Sequence, residues 1–162
     1  MREEILRETT IQSSTDLQEA TTKAPFLAVL RELAQAYHAF SAYSATHVRQ
    51  LGLTPAQFDV IATLGNTQGM PLTQLAQKTL ITKGTLTGII DRLDEKGLVR
   101  REVPVGDRRS FRAVLTPEGE VIFSRVFPAH IAYLSRVFAN VDAGDLEQVR
   151  RTLRALRDRF QE

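Results

Sequence analysis

Thr82, Lys83, Thr85 and Thr87 lie within six positions of one another, and their chemistry is that of recognition. A threonine hydroxyl donates and accepts, its methyl is a small apolar contact, and a lysine ammonium donates three hydrogen bonds at full charge. Such groups read a surface that mixes donors, acceptors and methyls along an anionic frame. Arg100, Arg101, Arg108, Arg109 and Arg112 follow, and the guanidinium fork matches phosphate oxygens in shape and charge. The charge is segregated: residues 78–112 carry nine basic and five acidic side chains, residues 1–77 five and seven, and residues 113–162 seven and seven. A net charge of +2 conceals this concentration, and concentrated positive charge is what draws a polyanion.

Reactive chemistry is hard to assemble from this chain. It has no cysteine, which removes thiolate nucleophiles, thiolate metal sites, disulfides and thiol redox switching together. His38, His47 and His130 have no acidic neighbours spaced for a triad or a metal, and the first two are nine apart rather than on one helical face. Gly65, Gly69, Gly84 and Gly88 match no phosphate-cradling loop. No catalytic residue, metal or cofactor is therefore expected, and the reading is a binding protein rather than an enzyme. No stretch approaches the roughly 18 apolar residues of a membrane span, and the first 24 positions lack the apolar core of a secretory signal. These features predict a cytoplasmic protein with no membrane partner.

The elements that must position the recognition groups can be read from spacing and caps. Residues 1–24 form a polar extension with no clear amphipathic face. From Pro25, the residues Phe26, Leu30, Leu33, Tyr37, Phe40 and Ser44 recur at threes and fours, predicting a helix with one buried stripe that stops near Gly52. Thr54, Pro55 and Gln57 form an N-cap, a first-turn proline and a capping box, with Leu53 and Phe58 as a hydrophobic staple. That helix is expected to end at Gly65 in left-handed conformation, and residues 66–71 read as a connector. Leu72–Lys78 and Thr82–Lys96 read as two helices joined by a short turn. In the second, Leu86, Ile89, Ile90 and Leu93 share a face, which leaves Gly84, Thr87, Gly88 and Asp91 opposite. Alternation in residues 98–103 and 110–115 around Pro104, Gly106 and Asp107 predicts a β-hairpin. Thr116 and Pro117 open another helix that Pro128 should kink. Asp142 caps the last one, with Val141 and Leu146 as staple; its stripe is Leu146, Val149, Leu153, Leu156 and Phe160, and the rest of its surface is rich in arginine.

Helix, turn, helix and basic hairpin in that order is the plan of a winged helix-turn-helix, a mainly α fold with a small β wing whose second helix enters the major groove of duplex DNA. Base contacts come from the N-terminal turns of that helix, where Thr82, Lys83, Thr85 and Thr87 fall. Thr73 and Gln74, at the start of the preceding helix, complete the expected contacts on this side.

Leu72-Thr73-Gln74-Leu75-Ala76, Thr82-Lys83-Gly84-Thr85-Leu86-Thr87, Asp91 to Arg100, Asp107-Arg108-Arg109 and Leu115-Thr116-Pro117-Glu118-Gly119 occur in an order and spacing that resembles the MarR family of bacterial regulators. The likeness is strong over about residues 53–120 and weak in the flanking helices. It implies a homodimer with intertwined terminal helices, a roughly palindromic DNA site, and repression relieved by a small ligand. It also implies that Asp107 holds the wing loop and that an arginine at the tip, Arg108 or Arg109, reaches the minor groove. Arg92 is placed either to hold a phosphate or to pair with Asp107. The layout that follows is an extension over 1–24, a dimerisation helix over 25–52, a DNA-binding domain over 53–115, and C-terminal helices over 116–162 that complete the dimer. The apolar stripes of the terminal helices agree with this, since they need covering and a two-fold dimer is the commonest way to cover them; packing within the monomer is the alternative.

Tyr37, His38, Phe40, Tyr43 and His47 could line a cavity for an aromatic or carboxylate effector, or make an ordinary core. Without an effector the reading becomes a ligand-independent architectural DNA binder. Without DNA it becomes a protein-binding winged-helix module.

Overall fold

The computed structural model describes residues 24–103 and 111–161. Helix α1 spans Pro25–Gln50, and the chain divides into two units, Met1–Tyr43 and Ser44–Glu162. In the first unit the described residues are the early turns of α1, where Phe26, Leu27, Val29, Leu30, Tyr37 and Phe40 are all exposed. The stripe read from their spacing is therefore a real helix face, and within that unit the described residues leave it exposed. In the second unit the last turns of α1 bury Ala45 and Val48.

Local devices set the next helix. The Thr54 side chain accepts from the Gln57 backbone N–H at 3.2 Å, and the Thr54 N–H donates to Gln57 Oε1 at 3.1 Å. The capping box thus satisfies two backbone donors that the first turn of α2 (Pro55–Leu64) leaves free. Leu53 and Phe58 are both buried, and Val60, Ile61 and Leu64 make α2 a central core helix. The helix ends at Gly65, but with φ −56; the left-handed residue is Asn66, at φ 56. Glycine is needed at position 65 for a different reason, because a Cβ there would overlap the Phe123 ring.

The stretch read as a connector holds a short strand, β1 (Met70–Pro71). It is followed by α3 (Leu72–Thr79), α4 (Lys83–Glu95), β2 (Val99–Glu102) and β3 (Arg112–Leu115). The sheet order is β1-β3-β2, antiparallel throughout, with Val99 opposite Leu115, Glu102 opposite Arg112 and Met70 opposite Ala113. The predicted hairpin is present, and its turn, residues 104–110, lies outside the described residues. Leu75 from α3, with Leu86, Ile90 and Leu93 from α4, is fully buried beside Val99 and Ala113 from the sheet, so the two helices and the wing share one core.

Thr116 caps α5 (Pro117–Ser135), accepting from Gly119 N–H at 3.0 Å and donating to the Gly97 carbonyl at 2.6 Å. The helix runs on through Pro128 into a 3₁₀ turn at Arg136–Phe138. Gly119 sits against the Leu98 carbonyl so closely that a Cβ would collide with it. Gly119→Ala should therefore lower stability by about 1–3 kcal/mol, the usual cost of forcing volume into a packed site. Chemical denaturation checks this, and a midpoint equal to the parent's would contradict it.

Asp142 caps α6 (Ala143–Arg159) through a 2.7 Å bond from Gly144 N–H. No residue of α6 is buried. Leu146, Val149, Leu153 and Phe160 are exposed, and Val141, the other half of the expected staple, is exposed too. Two of the helix's arginines, Arg150 and Arg151, pair with Glu147, and Arg157 pairs with Asp158.

Candidate nucleic-acid interface

The turn from α3 into α4 presents the recognition groups. Thr82 is the N-cap of α4; its hydroxyl accepts from Thr85 N–H at 3.5 Å and donates to the Thr85 hydroxyl at 3.0 Å. The Thr87 hydroxyl donates to the Lys83 carbonyl at 3.0 Å. Thr82 and Thr87 are therefore partly committed to their own helix, whereas Thr85 keeps a proton to donate outward and Lys83 is exposed. Leu86, Ile89, Ile90 and Leu93 are buried as their spacing predicts. On the other face Gly84 and Asp91 are exposed, and Thr87 and Gly88 are half-buried. A Cβ at Gly84 or Gly88 would meet nothing within 4 Å among the described residues, so neither glycine makes room for another described part of the chain. Thr73 and Gln74 are exposed in the first turn of α3.

The wing is braced against α4 by a contact that neither segment discloses alone. Arg101 of β2 is ion-paired with Asp91 of α4, and its guanidinium also lies 4.7 Å from the centre of the Phe111 ring. Asp91 thus brings a neutralised charge to the α4 surface. Arg100 pairs with Glu102 at 2.6 Å. Arg112 donates to the carbonyls of Gln68 and Gly69 at 3.1 and 2.7 Å, fastening the wing to the segment before β1, and its Nε is buried without a partner among the described residues. These arginines hold the scaffold. Among the described residues of the segment 78–112, Lys78, Lys83, Arg92 and Lys96 make no ion pair, and their charge is available to a partner. Asp107, Arg108 and Arg109, the expected wing residues, lie outside the described residues.

Arg92 lines an open groove of about 550 Å³ with Arg49, Gly52, Leu53, Thr54, Gln57, Glu95 and Lys96. Of the residues considered for an effector, Tyr37 and His38 are exposed, and Tyr43 and His47 are half-buried. His47 belongs to a cluster that the sequence does not suggest. Its Nδ1 lies 3.0 Å from Nδ1 of His130, whose Nε2 lies 3.0 Å from the Ser44 hydroxyl. Tyr133 stacks on His47 at 4.2 Å between ring centres, and Phe58 meets His130 edge-on. No three histidines or carboxylates converge as a metal site among the described residues.

His130 is 2% exposed. Burial, and then the neighbouring His47, push its pKa below the ordinary 6.5. The native state thus resists a proton that the unfolded chain accepts, so stability is full above about pH 6.5 and declines as pH falls below it. The thermal midpoint should be lower at pH 5 than at pH 7.5. His130→Asn should flatten that dependence; a variant with the parent's pH profile would remove His130 as its source.

Comparison with known proteins agrees with this geometry. Residues 51–110 match the model of the MarR family. The HTH-type transcriptional regulator MhqR of Bacillus subtilis is 29% identical over 115 residues, which is 71% of this chain and 79% of that protein. The crystal structure of AbsC, a MarR family transcriptional regulator from Streptomyces coelicolor, superposes with a TM-score of 0.75 at 26% identity, covering 83% of this chain and 93% of that one. BpsR of Bordetella bronchiseptica, whose DNA binding is regulated by 6-hydroxynicotinic acid, superposes with a TM-score of 0.71 at 25% identity, covering 80% and 98%. Residues 51–110 thus match the MarR family model, and the chain as a whole is similar in sequence and fold to winged helix-turn-helix transcriptional regulators of that family.

Proposed function

We propose that this protein is a homodimeric, sequence-specific regulator of transcription that binds double-stranded DNA and acts as a repressor released by a small ligand. The observation that carries the reading is the α4 surface: a capped N-terminus with Lys83 and Thr85 exposed, an unobstructed Gly84, and Lys78, Arg92 and Lys96 free of ion pairs among the described residues. Cations without partners fix a duplex through its phosphates, and side chains at the start of a recognition helix read its bases. Thr73, Gln74, Thr82, Lys83, Thr85, Thr87 and Arg92 form the contact set on the helices. Arg108 and Arg109 extend it from the wing, with Asp107 holding that loop.

The homodimer is supported by the apolar faces of α1 and α6, which the described residues leave exposed. Contiguous exposed apolar faces mark interfaces, and a second copy would pair the same surface on both chains about a two-fold axis. The regulation of BpsR by 6-hydroxynicotinic acid supports an effector of aromatic or carboxylate chemistry.

The test is selection of bound duplexes from a random pool by the purified protein, with a salt titration on the enriched site. The expected result is a two-fold site with half-sites about one helical turn apart and an affinity that falls steeply with salt. A pool with no enrichment would move the assignment to a protein-binding winged-helix module. Thermal shift against phenolic and aromatic acids then tests the effector: a compound that raises the midpoint should also release DNA, and a uniformly silent panel would favour ligand-independent binding.

A further inference from the structure

Leu80 combines two costs at one position. It closes α3 with φ 56 and ψ 20, a left-handed backbone that a bulky side chain adopts only at a penalty. Its side chain is also 91% exposed, more than any other large apolar residue described. Glycine or asparagine would remove both costs, because each tolerates this conformation and neither puts a branched hydrocarbon in water. A residue that is strained and solvated in the free protein gains nothing there, and such positions concentrate where a partner supplies the compensation.

The surroundings identify the partner. Leu80 lies in the turn of the helix pair, two residues before the Thr82 cap and between Lys78 and Lys83, both exposed and without ion pairs among the described residues. An apolar tip flanked in sequence by two ammonium groups, continuous with the start of the recognition helix, matches duplex DNA. There phosphates alternate with the hydrocarbon of deoxyribose, and the major groove adds the thymine methyl. We propose that Leu80 is a DNA-contacting residue that packs against the apolar surface of a sugar or thymine methyl beside phosphates held by Lys78 and Lys83. The contact contributes affinity that neither lysine can replace. This inference rests on the DNA-binding reading above.

The experiment measures operator affinity by fluorescence anisotropy for the parent protein, Leu80→Asn, Leu80→Gly and the control Lys83→Ala, with a thermal melt of each. Asparagine approximates the size of leucine and accepts the left-handed backbone, so L80N should melt at or above the parent temperature. It should nevertheless bind roughly tenfold more weakly, as the loss of one buried leucine contact implies, and its salt slope should be unchanged because no charge is lost. L80G should behave alike, which separates lost apolar contact from any effect of the new amide. Replacing operator thymines by uracil assigns the partner: a methyl contact makes the L80N loss disappear, and a sugar contact leaves it in place. If the parent binds DNA and K83A weakens it, but both Leu80 variants bind like the parent, this inference is overturned while the DNA-binding reading stands. If the parent itself shows no salt-dependent binding, both fall.

Discussion

Gly84→Glu is expected to abolish operator binding while raising the thermal midpoint. The two effects have separate causes at one atom. In the free protein a Cβ at position 84 meets nothing within 4 Å, so glutamate enters open space, and replacing glycine in a helix stabilises it by up to about 1 kcal/mol. The position is in the first turn of α4, where a carboxylate adds a few tenths of a kcal/mol or more against the helix dipole. On DNA the same carboxylate stands between the helix and a polyanion, and a like charge forced into an interface costs several kcal/mol. An affinity loss of at least about 100-fold follows. Gly84→Ala separates the contributions, since it should share the gain in midpoint and lose far less affinity. Anisotropy and calorimetry on the three proteins decide the matter. A folded G84E protein that binds the operator normally would place the DNA face elsewhere.

The second large effect is expected at α6. Val149 and Leu153 are one turn apart on a helix with no buried residue, at 55% and 48% exposure. In the monomer, aspartate at both positions exchanges solvated hydrocarbon for solvated carboxylate, which is close to neutral for a surface site. In a two-fold interface the same change buries unpaired charges from each chain and prevents association. Val149→Asp with Leu153→Asp should therefore sediment as a monomer. It should lose about 100-fold or more in affinity for a full two-fold site, because linking two half-site contacts is worth that factor, while its affinity for an isolated half-site stays unchanged. A double variant that remains dimeric would show that α6 lies outside the interface.

These two predictions draw differently on sequence and structure. The α4 surface is legible in the sequence because a helix face depends on residues three and four apart, and Leu86, Ile89, Ile90 and Leu93 can point inward only if Gly84 and Asp91 point outward. The helix starts at Thr54, Thr82, Thr116 and Asp142 are equally legible, since a capping hydroxyl or carboxylate reaches a backbone N–H within three residues. What the threonine spacing does not reveal is that Thr82 and Thr87 spend hydroxyl bonds on their own helix. That division shifts the outward reading toward Lys83 and Thr85. Leu80 has a cue in sequence only in hindsight: a leucine in the short turn before the Thr82 cap, where backbone geometry favours glycine or asparagine.

The sequence by itself determined the order of elements, the caps, the buried side of α4, the segregation of positive charge and the absence of thiol chemistry, all of which are local or compositional. Tertiary structure alone decided the rest. It pairs β1 with β3, sets Arg101 against Asp91, makes Arg112 a clasp on Gln68 and Gly69, and joins His47 to His130 across 83 positions. It also shows that Gly65 is required by the Phe123 ring rather than by its own dihedral, and that the described residues leave the apolar stripes of α1 and α6 exposed. Periodicity records that a side of a helix is apolar, but it carries no information about what covers that side. Pairings between distant residues leave no periodic trace, because they arise only when packing of the common core brings separate elements to one place.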